Sequence, residues 1–407
     1  MVSVFRRAAM AVSLLCLCGP AFAEAAPPGP APAFPETIAA TRMVLTTDDD
    51  HAGGAAAAFL RNAAEASQFF LIGEEHGVAS IADTIRTLLP ALYAAGYRHF
   101  AVETDPYAAR LVEQRLRDGG TQALATFLHE DGRATTLPFF NWASEAALAE
   151  ALLAGAGTDP RGNLWGLDQV FIGAYGLLLE RVAAEASDPA ARELAATLAA
   201  QAKGNLEFLG QTDPTQFEGL RRGLAAAGDT TLVELVDEMI VSRRIYAPFI
   251  GQPGLSAYAA NRIREDLMKT HFLERYRAAG RPKVLCKFGS NHMVRGLSPT
   301  HVPSLGNFAA DFAFAEGKQA FNLLVLCGPG TQAGDFMGNV ATCELDVEKL
   351  MPEVAAALDA VHPTLFDLAT WKDQPRQWRH LASEVRELLW AYDALLVVPN
   401  GKPARPL

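Results

Sequence analysis

Short apolar runs alternate with longer amphipathic segments along most of the chain. Six runs have the length and apolar content of buried strands, at residues 69–72, 100–102, 164–167, 283–288, 321–326 and 394–398. The segments between them repeat apolar residues at helical spacing, as in 78–95, where Ile81, Ile85 and Leu88 share one face. This alternation predicts an α/β fold with a mostly parallel central sheet flanked by helices.

The stretch from 171 to 279 interrupts the alternation. It is rich in Ala, Leu and Glu and contains no strand pattern. Breaks fall at Asp188-Pro189, Asp213-Pro214, Gly228-Asp229 and Pro253-Gly254. We therefore predict four or five consecutive helices here, forming an all-helical cap inserted between two strands of the sheet.

The first residues have the pattern of a secretory signal. Arg6 and Arg7 precede the apolar run 8–18, and Ala21-Phe22-Ala23 fits a signal-peptidase site. We expect a signal peptide at 1–23, with an uncleaved anchor as the alternative, then a flexible Ala/Pro-rich leader at 24–40 and a folded domain at 41–407. No later stretch approaches the roughly 20 apolar residues of a membrane span. The expected location is therefore periplasmic or secreted, with no integral membrane span after cleavage.

Charge and cysteine content narrow the choice of partners and compartment. The net charge of −11 argues against nucleic acid as a partner, because phosphate backbones attract basic proteins. Of the five cysteines, Cys16 and Cys18 leave with the signal. Cys327 and Cys343 flank a Gly-rich loop and could pair in a compartment that permits disulfides. Cys286 lies in an apolar run and is expected to be a core thiol.

Acidic residues and histidines follow four of the predicted strands. Glu74 and His76 follow the first strand, Glu103 the second, Asp168 the third and His292 the fourth. Ligands of open parallel sheets bind beyond the carboxyl ends of the strands, so these side chains are expected to meet at one edge. Such a group of ionisable side chains predicts a functional site with a small-molecule substrate.

Two kinds of hydrolytic chemistry suit these residues. In the first, His76 takes a proton from water while Glu74 or Glu103 orients the imidazole. In the second, His76, Glu103 and His292 ligate a divalent metal that activates water. In either case, Lys287 and the backbone N–H groups near Gly289 are candidates to stabilise an oxyanion.

Each residue also has a structural alternative. His76 and Asp168 could cap the helices that follow them, Glu103 could pair with a nearby basic side chain, and His292 could be a satisfied structural histidine. Other catalytic patterns are absent from the sequence, which contains no G-x-S-x-G elbow, no H-E-x-x-H and no phosphate-binding fingerprint.

The order of the motifs resembles the erythromycin esterase family and its ChaN-like haem-binding and TIKI/TraB relatives. The matching segments extend over about residues 68–398 and are Gly73–Gly77, Phe100–Glu103, Gly166–Asp168, Arg264–Met268, Gly289–His292 and Tyr392–Leu395.

The relatives differ in what they imply. The Glu74-to-His76 spacing resembles the ChaN-like group. The two G-x-x-H segments together with Glu103 resemble the TIKI/TraB pattern, which implies a hydrolase with bound Mn, Co, Zn or Fe. The 264–268 helix and Asp168 resemble the esterases, in which a histidine activates water without metal.

Taken together, the residues and the resemblance predict an exported hydrolase that adds water to an ester, lactone or amide carbonyl. Asp168, Arg264 and Lys287 are expected to bind the substrate, with Arg264 and Lys287 holding an anionic part of it. The alternative is a periplasmic haem- or metal-binding protein without turnover.

Overall fold

The computed structural model describes residues 33–48 and 51–407. The predicted signal peptide and residues 24–32 of the predicted leader lie outside these residues. The leader was predicted to be flexible up to residue 40. This is wrong for its last part, because Phe34–Thr41 form a helix. Phe34 and Ile38 lie one turn apart on it and are both buried, and the Phe34 ring meets that of Trp371 at 5.2 Å between centroids. These apolar contacts join the segment to the fold.

The strands follow one another along the chain as β1 Arg42–Val44, β2 Thr46–Asp48, β3 His51–Gly53, β4 Phe69–Glu74, β5 His99–Val102, β6 Leu164–Gly166, β7 Val284–Gly289, β8 Ala320–Cys327, β9 Gln332–Gly334, β10 Val340–Thr342, β11 Thr364–Asp367 and β12 Ala394–Val398.

The helices are α1 Phe34–Thr41, α2 Gly54–Ala66, α3 Ala79–Ala94, α4 Pro106–Leu128, α5 Ala143–Ala156, α6 Tyr175–Glu185, α7 Pro189–Ala202, α8 Phe208–Gln211, α9 Pro214–Ala227, α10 Thr230–Tyr246, α11 Ala257–Ala278, α12 Ser290–Met293, α13 Leu305–Ala315, α14 Val347–Leu350, α15 Pro352–Ala355, α16 Ala369–Lys372 and α17 Ser383–Ala391. Two 3-10 helices, Ile172–Ala174 and Ala247–Ile250, lie before α6 and after α10.

Eight strands form one mostly parallel sheet, in the order β1-β11-β12-β8-β4-β7-β5-β6. The six predicted strands all lie in its parallel part, from β12 to β6. The strands β1 and β11 add an antiparallel edge. They were not predicted, because β1 begins with Arg42 and β11 ends with Asp367, so neither is a continuous apolar run. The α/β fold class is thereby confirmed.

The sheet is apolar on both faces because helices cover both. Phe70 and Ile72 of β4 point into the layer that contains α2 to α5. Phe69 and Leu71 alternate with them and point into the opposite layer, which contains α11 and α13. Full burial of such side chains contributes about 1.5–3 kcal/mol each. This two-sided burial explains why the strand patterns are continuous apolar runs.

Between Ile172 and Ala278 the described chain contains helices and no strand. Asp188 and Asp213 cap α7 and α9, each followed by a proline in the first turn, as the break signals predict. The helices α6 to α10 surround an apolar core of their own that includes Tyr175 and Phe217. In contrast, α11 packs Met268 into the core on the sheet. The predicted cap segment therefore divides into a separate bundle and one helix that belongs to the sheet layers.

Cys327 and Cys343 form a disulfide, which the sequence left open, and Cys286 is a buried free thiol. Within residues 33–48 and 51–407, no helix has the length and apolar content needed to cross a membrane.

Candidate active site

The four strands that carry the candidate residues are neighbours, in the order β4-β7-β5-β6. Because they run parallel, their carboxyl ends meet at one edge of the sheet. The structure brings together there the side chains of Glu74, His76, Glu103, Asp168 and His292. This juxtaposition is the one expected from the sequence.

His76 lies in the tight turn that follows β4. Gly77 has a φ of 79°, and a β-carbon there would lie 2.2 Å from the carbonyl oxygen of Gly334, so the turn requires glycine. His76 Nδ1 lies 3.3 Å from Glu74 Oε1, and its Nε2 lies 3.2 Å from Glu103 Oε2. The imidazole is 31% exposed, whereas the two carboxylates are 2% and 8% exposed. His76 is thus the solvent-facing member of a buried charged group.

The charges of this group shift the pKa values of its members. Burial opposes the charging of His76, but the Glu103 and Glu74 carboxylates outweigh it and raise the pKa of His76 to about 10. Burial also favours a neutral Glu103, but His292 and His76 outweigh it and hold the pKa of Glu103 well below its usual value. The arrangement of these groups therefore favours an imidazolium beside a carboxylate.

Glu103 is the centre of the network. Its Oε2 accepts a hydrogen bond from the backbone N–H of Gly289 at 2.7 Å. Its Oε1 accepts from Arg264 Nη2 at 2.9 Å and lies 3.3 Å from His292 Nε2. Of the backbone N–H groups near Gly289 that were expected to stabilise an oxyanion, that of Gly289 itself is therefore already bound to Glu103.

His292 is held by a second carboxylate that the sequence analysis missed. His292 lies on α12, and its Nδ1 is 2.7 Å from Glu265 Oε1. Glu265 Oε2 accepts from the backbone N–H of Leu305 at 2.7 Å. Burial opposes the charging of His292, but Glu103 outweighs it and raises the pKa of His292 to about 9, against the opposing effect of Arg264. Glu265 lies within the 264–268 motif, so the sequence did contain a pattern from which it could have been identified as a site residue.

Arg264 and Asp168 form a two-bond ion pair. Arg264 Nε and Nη2 donate to the two oxygens of Asp168 at 2.9 and 2.5 Å. Asp168 also accepts from the backbone N–H of Gln169 at 2.8 Å. Paired geometry of this kind orients both groups. Arg264 thereby joins the ends of β5 and β6 to the helix α11.

Lys287 does not reach the position that was predicted for it. It alternates with Cys286 and Phe288 on β7 and so points to the opposite face of the sheet, the one covered by α5. Its Nζ donates to Glu74 Oε1 at 2.5 Å and to Glu145 at 2.8 and 2.9 Å, and its side chain is only 9% exposed. The expected substrate contact of Lys287 is thus replaced by support of Glu74.

Glu145 is the second carboxylate that sequence reasoning missed. It lies in the first turn of α5, where an acidic residue is common in any helix, so nothing in the sequence marked it. Burial raises the pKa of Glu145, although Lys287 opposes the shift. The residues 145, 287, 74, 76, 103, 292 and 265 form one continuous line of alternating acidic and basic groups.

A cavity of about 200 Å³ lies against this network. Glu103, Asp168 and Arg264 line its polar side, and aromatic residues that include Phe139 and Phe171 line the rest. The rings of Phe139 and His76 are 4.4 Å apart, which brings the imidazole next to the cavity wall. The site therefore has a charged floor and an aromatic wall.

The predicted metal ligands do not fit a divalent ion as they are arranged. Within the described part of the chain, no group of three or more His, Cys, Asp or Glu side chains is placed to hold a metal. Glu103 accepts from the Gly289 N–H and from the Arg264 guanidinium, whose positive charge 2.9 Å away would repel a cation. His76 and His292 each lie against two carboxylates instead. The arrangement suits proton transfer between paired groups.

No family model and no curated protein matches the sequence. Solved structures match it in fold. A mutant erythromycin esterase in its open conformation superimposes with a TM-score of 0.62 at 16% identity, covering 89% of this chain and 98% of that chain. A succinoglycan biosynthesis protein gives 0.59 at 13% identity and covers 91% and 97%. A Bacillus cereus protein gives 0.61 at 12% identity and covers 92% and 100%.

ChaN of Campylobacter jejuni matches at a TM-score of 0.30 and 11% identity, which is too low to bear on this chain. The similarity to the esterase extends over nearly all of both chains. The chain therefore has the fold of the solved erythromycin esterase, in agreement with the order of its sequence motifs.

Proposed function

We propose that this chain is a hydrolase that adds water to the carbonyl of an ester, lactone or amide. The observation that carries the proposal is the setting of His76, which is partly exposed beside a cavity while two buried carboxylates lie within 3.3 Å of its ring nitrogens. When a water molecule takes the place of one of these carboxylates at a ring nitrogen, the imidazole can accept a proton from that water, and the carboxylates stabilise the imidazolium that forms.

In the proposed reaction, the neutral His76 takes a proton from water as the water oxygen bonds to the carbonyl carbon. The oxyanion that results faces the cationic groups of the site, and His292 is the proposed hydrogen-bond donor to it. The tetrahedral intermediate then releases the alcohol or amine, which takes the proton from the His76 imidazolium. Throughout the reaction, Glu74 and Glu103 orient the His76 imidazole and balance the positive charge that it gains.

Arg264 and Asp168 are proposed to orient the substrate, because both line the cavity beside Glu103. The guanidinium is already paired with the carboxylates of Glu103 and Asp168. An anionic group of the substrate would therefore compete with Asp168 for Arg264. A neutral carbonyl compound fits this balance of charge better than a strongly anionic one.

The site is proposed to work in the periplasm or outside the cell. The Cys327–Cys343 disulfide supports this, because disulfides persist in oxidising compartments. Amino-terminal sequencing and fractionation of the expressed full chain test the proposal. A mature protein that begins at residue 24 in the periplasmic fraction is expected.

Hydrolysis is tested with a panel of esters, lactones and amides on the purified protein and on two variants. His76→Gln is expected to lower kcat/KM by at least about 100-fold, in line with general-base contributions. The control is His380→Gln, because His380 is exposed and pairs with Glu353 far along the chain from the site. Full activity in a folded His76→Gln variant contradicts the assignment.

The same preparation separates the other hypotheses. Elemental analysis that finds near-stoichiometric metal in the wild type and none in His292→Ala would support a metallohydrolase. A Soret band on addition of haem, without hydrolysis of any test compound, would instead support a haem-binding protein.

A further inference from the structure

A second cavity of about 210 Å³ adjoins the one at the charged network. The two share the wall residues Pro138, Phe171 and Phe336. The second cavity is otherwise lined on its apolar side by Leu137 and Leu206, together with Met337. Whereas the first cavity has a charged floor, the second offers mainly carbon atoms.

The charged residue of this lining is Asp335, and its carboxylate is already engaged. One oxygen accepts from the backbone N–H groups of Met337 and Asn339 at 2.8 Å each, and the other accepts from the Asn339 amide at 2.7 Å. The carboxylate thus closes the tip of the β9–β10 hairpin. Its oxygens are satisfied within the hairpin and the other lining residues are uncharged, so the cavity suits an uncharged group.

The shared wall at Phe336 is fixed in place. The Phe336 ring stacks on that of Trp142, with centroids 4.9 Å apart and an angle of 6° between the planes. The hairpin carbonyls of residues 335 and 336 accept hydrogen bonds from Trp142 Nε1 and Asn141 Nδ2 at 3.2 and 3.4 Å. The Cys327–Cys343 disulfide closes the base of the same loop. A wall held at both its tip and its base is pre-organised for binding.

We infer that this second cavity is the binding site for an uncharged, apolar part of the substrate, such as an alkyl or acyl chain, and that Leu206 and Phe336 help to set specificity. The inference rests on the proposed function for the identity of the reacting group, because the polar cavity next to it would hold the carbonyl. The first cavity would bind the carbonyl group, and the second would bind the apolar chain attached to it. Together they select a carbonyl compound with an apolar extension.

The test measures binding without turnover. Methyl alkyl ketones from 2-hexanone to 2-decanone carry the carbonyl but cannot be hydrolysed, and isothermal titration calorimetry gives their Kd values on the intact protein. Each added methylene is expected to tighten binding about fourfold, equivalent to about 0.8 kcal/mol. A Kd that does not change with chain length overturns the inference.

The location of the site is tested with Leu206→Asp, which places a charge in the apolar cavity. Leu206 is 37% exposed and lies in a turn, so the variant is expected to fold. The tightening per methylene should fall below about twofold in this variant. The matched control is Leu297→Asp, at an exposed leucine outside both cavities, which should keep the full effect. An unchanged chain-length effect in Leu206→Asp overturns the assignment of the cavity.

A parallel series of 4-nitrophenyl esters from acetate to decanoate separates this inference from the proposed function. If neither these esters nor any ester, lactone or amide of the panel is hydrolysed while the ketones bind as expected, the proposed reaction fails and the binding site stands. If esters are hydrolysed with the same kcat/KM at every chain length and the ketones bind equally, the binding site fails and the reaction stands.

Discussion

Gly289 and His76 lie so close together that a β-carbon at position 289 would be 2.7 Å from His76 Nε2. The φ of Gly289 is −56°, so any residue could adopt its backbone conformation. The glycine is therefore required by the space beside the imidazole, and the end of β7 sets how closely His76 approaches Glu103.

We predict that Gly289→Ala displaces His76 from Glu103 and lowers kcat/KM on the order of 100-fold, as small displacements of reacting groups can. Steady-state kinetics on the ester panel measure the effect. The control is Gly210→Ala, because a β-carbon at position 210 would meet no atom within 4 Å and the residue needs no special backbone conformation. Equal kinetics in the two variants would contradict the role assigned to the contact.

The rate should depend on pH through His76. Only the neutral imidazole accepts a proton, and the pKa of His76 is raised to about 10, so the neutral form is the minor one at pH 7. We expect kcat/KM to increase with pH up to about 10 and then to level off. This increase with pH should be present in the wild type and absent from the His76→Gln variant. A rate that falls over the same range would show that the imidazolium, as an acid, is the active form.

Stability should fall at alkaline pH. His76 and His292 have folded-state pKa values of about 10 and about 9, above the value of about 6.5 expected in the unfolded chain. A raised folded-state pKa contributes stability that is present below the unfolded pKa and is lost as pH rises through the folded pKa. The urea midpoint should therefore decrease between about pH 6.5 and 10. The decrease should be smaller in His292→Asn, and a midpoint that rises in this range is the contrary result.

Lys287 should matter for stability because it balances two buried carboxylates. Lys287→Met leaves Glu74 and Glu145 without their shared cation, and removal of one partner from a buried ion pair costs about 3–5 kcal/mol. Urea unfolding measures the change. The exposed residue Lys318 provides the control, since Lys318→Met should stay within about 0.5 kcal/mol of the wild type. A cost below about 1 kcal/mol for Lys287→Met would mean that the carboxylates become neutral at little expense.

Reduction of the Cys327–Cys343 disulfide should destabilise the protein. The two cysteines are 16 residues apart in sequence, and a loop of this length is worth about 3 kcal/mol in the chain-entropy model. The free energy of unfolding should fall by this amount with reductant and in the variant with alanine at both positions. The double variant should not respond further to reductant. A response that persists there would show that the loss of stability does not come from the Cys327–Cys343 disulfide.

Local patterns in the sequence determined the elements that carry the site. The apolar runs at 69–72, 100–102 and 283–288 form β4, β5 and β7 because strands buried on both faces must be apolar throughout. Polar residues that follow such runs lie at the carboxyl edge of a parallel sheet. For this reason Glu74, His76, Glu103, Asp168 and His292 could be assigned to one edge before the strand order was known.

Tertiary structure alone decided which of these groups touch. The strand β7 lies between β4 and β5 although it comes more than 180 residues after β5 in the chain, and this order brings Glu103 against Gly289 and His292. The same packing turns Lys287 toward Glu145 of α5 and sets Glu265 of α11 behind His292. These pairings join segments far apart in sequence. No local pattern encodes them, because they follow from which helix covers each face of the sheet.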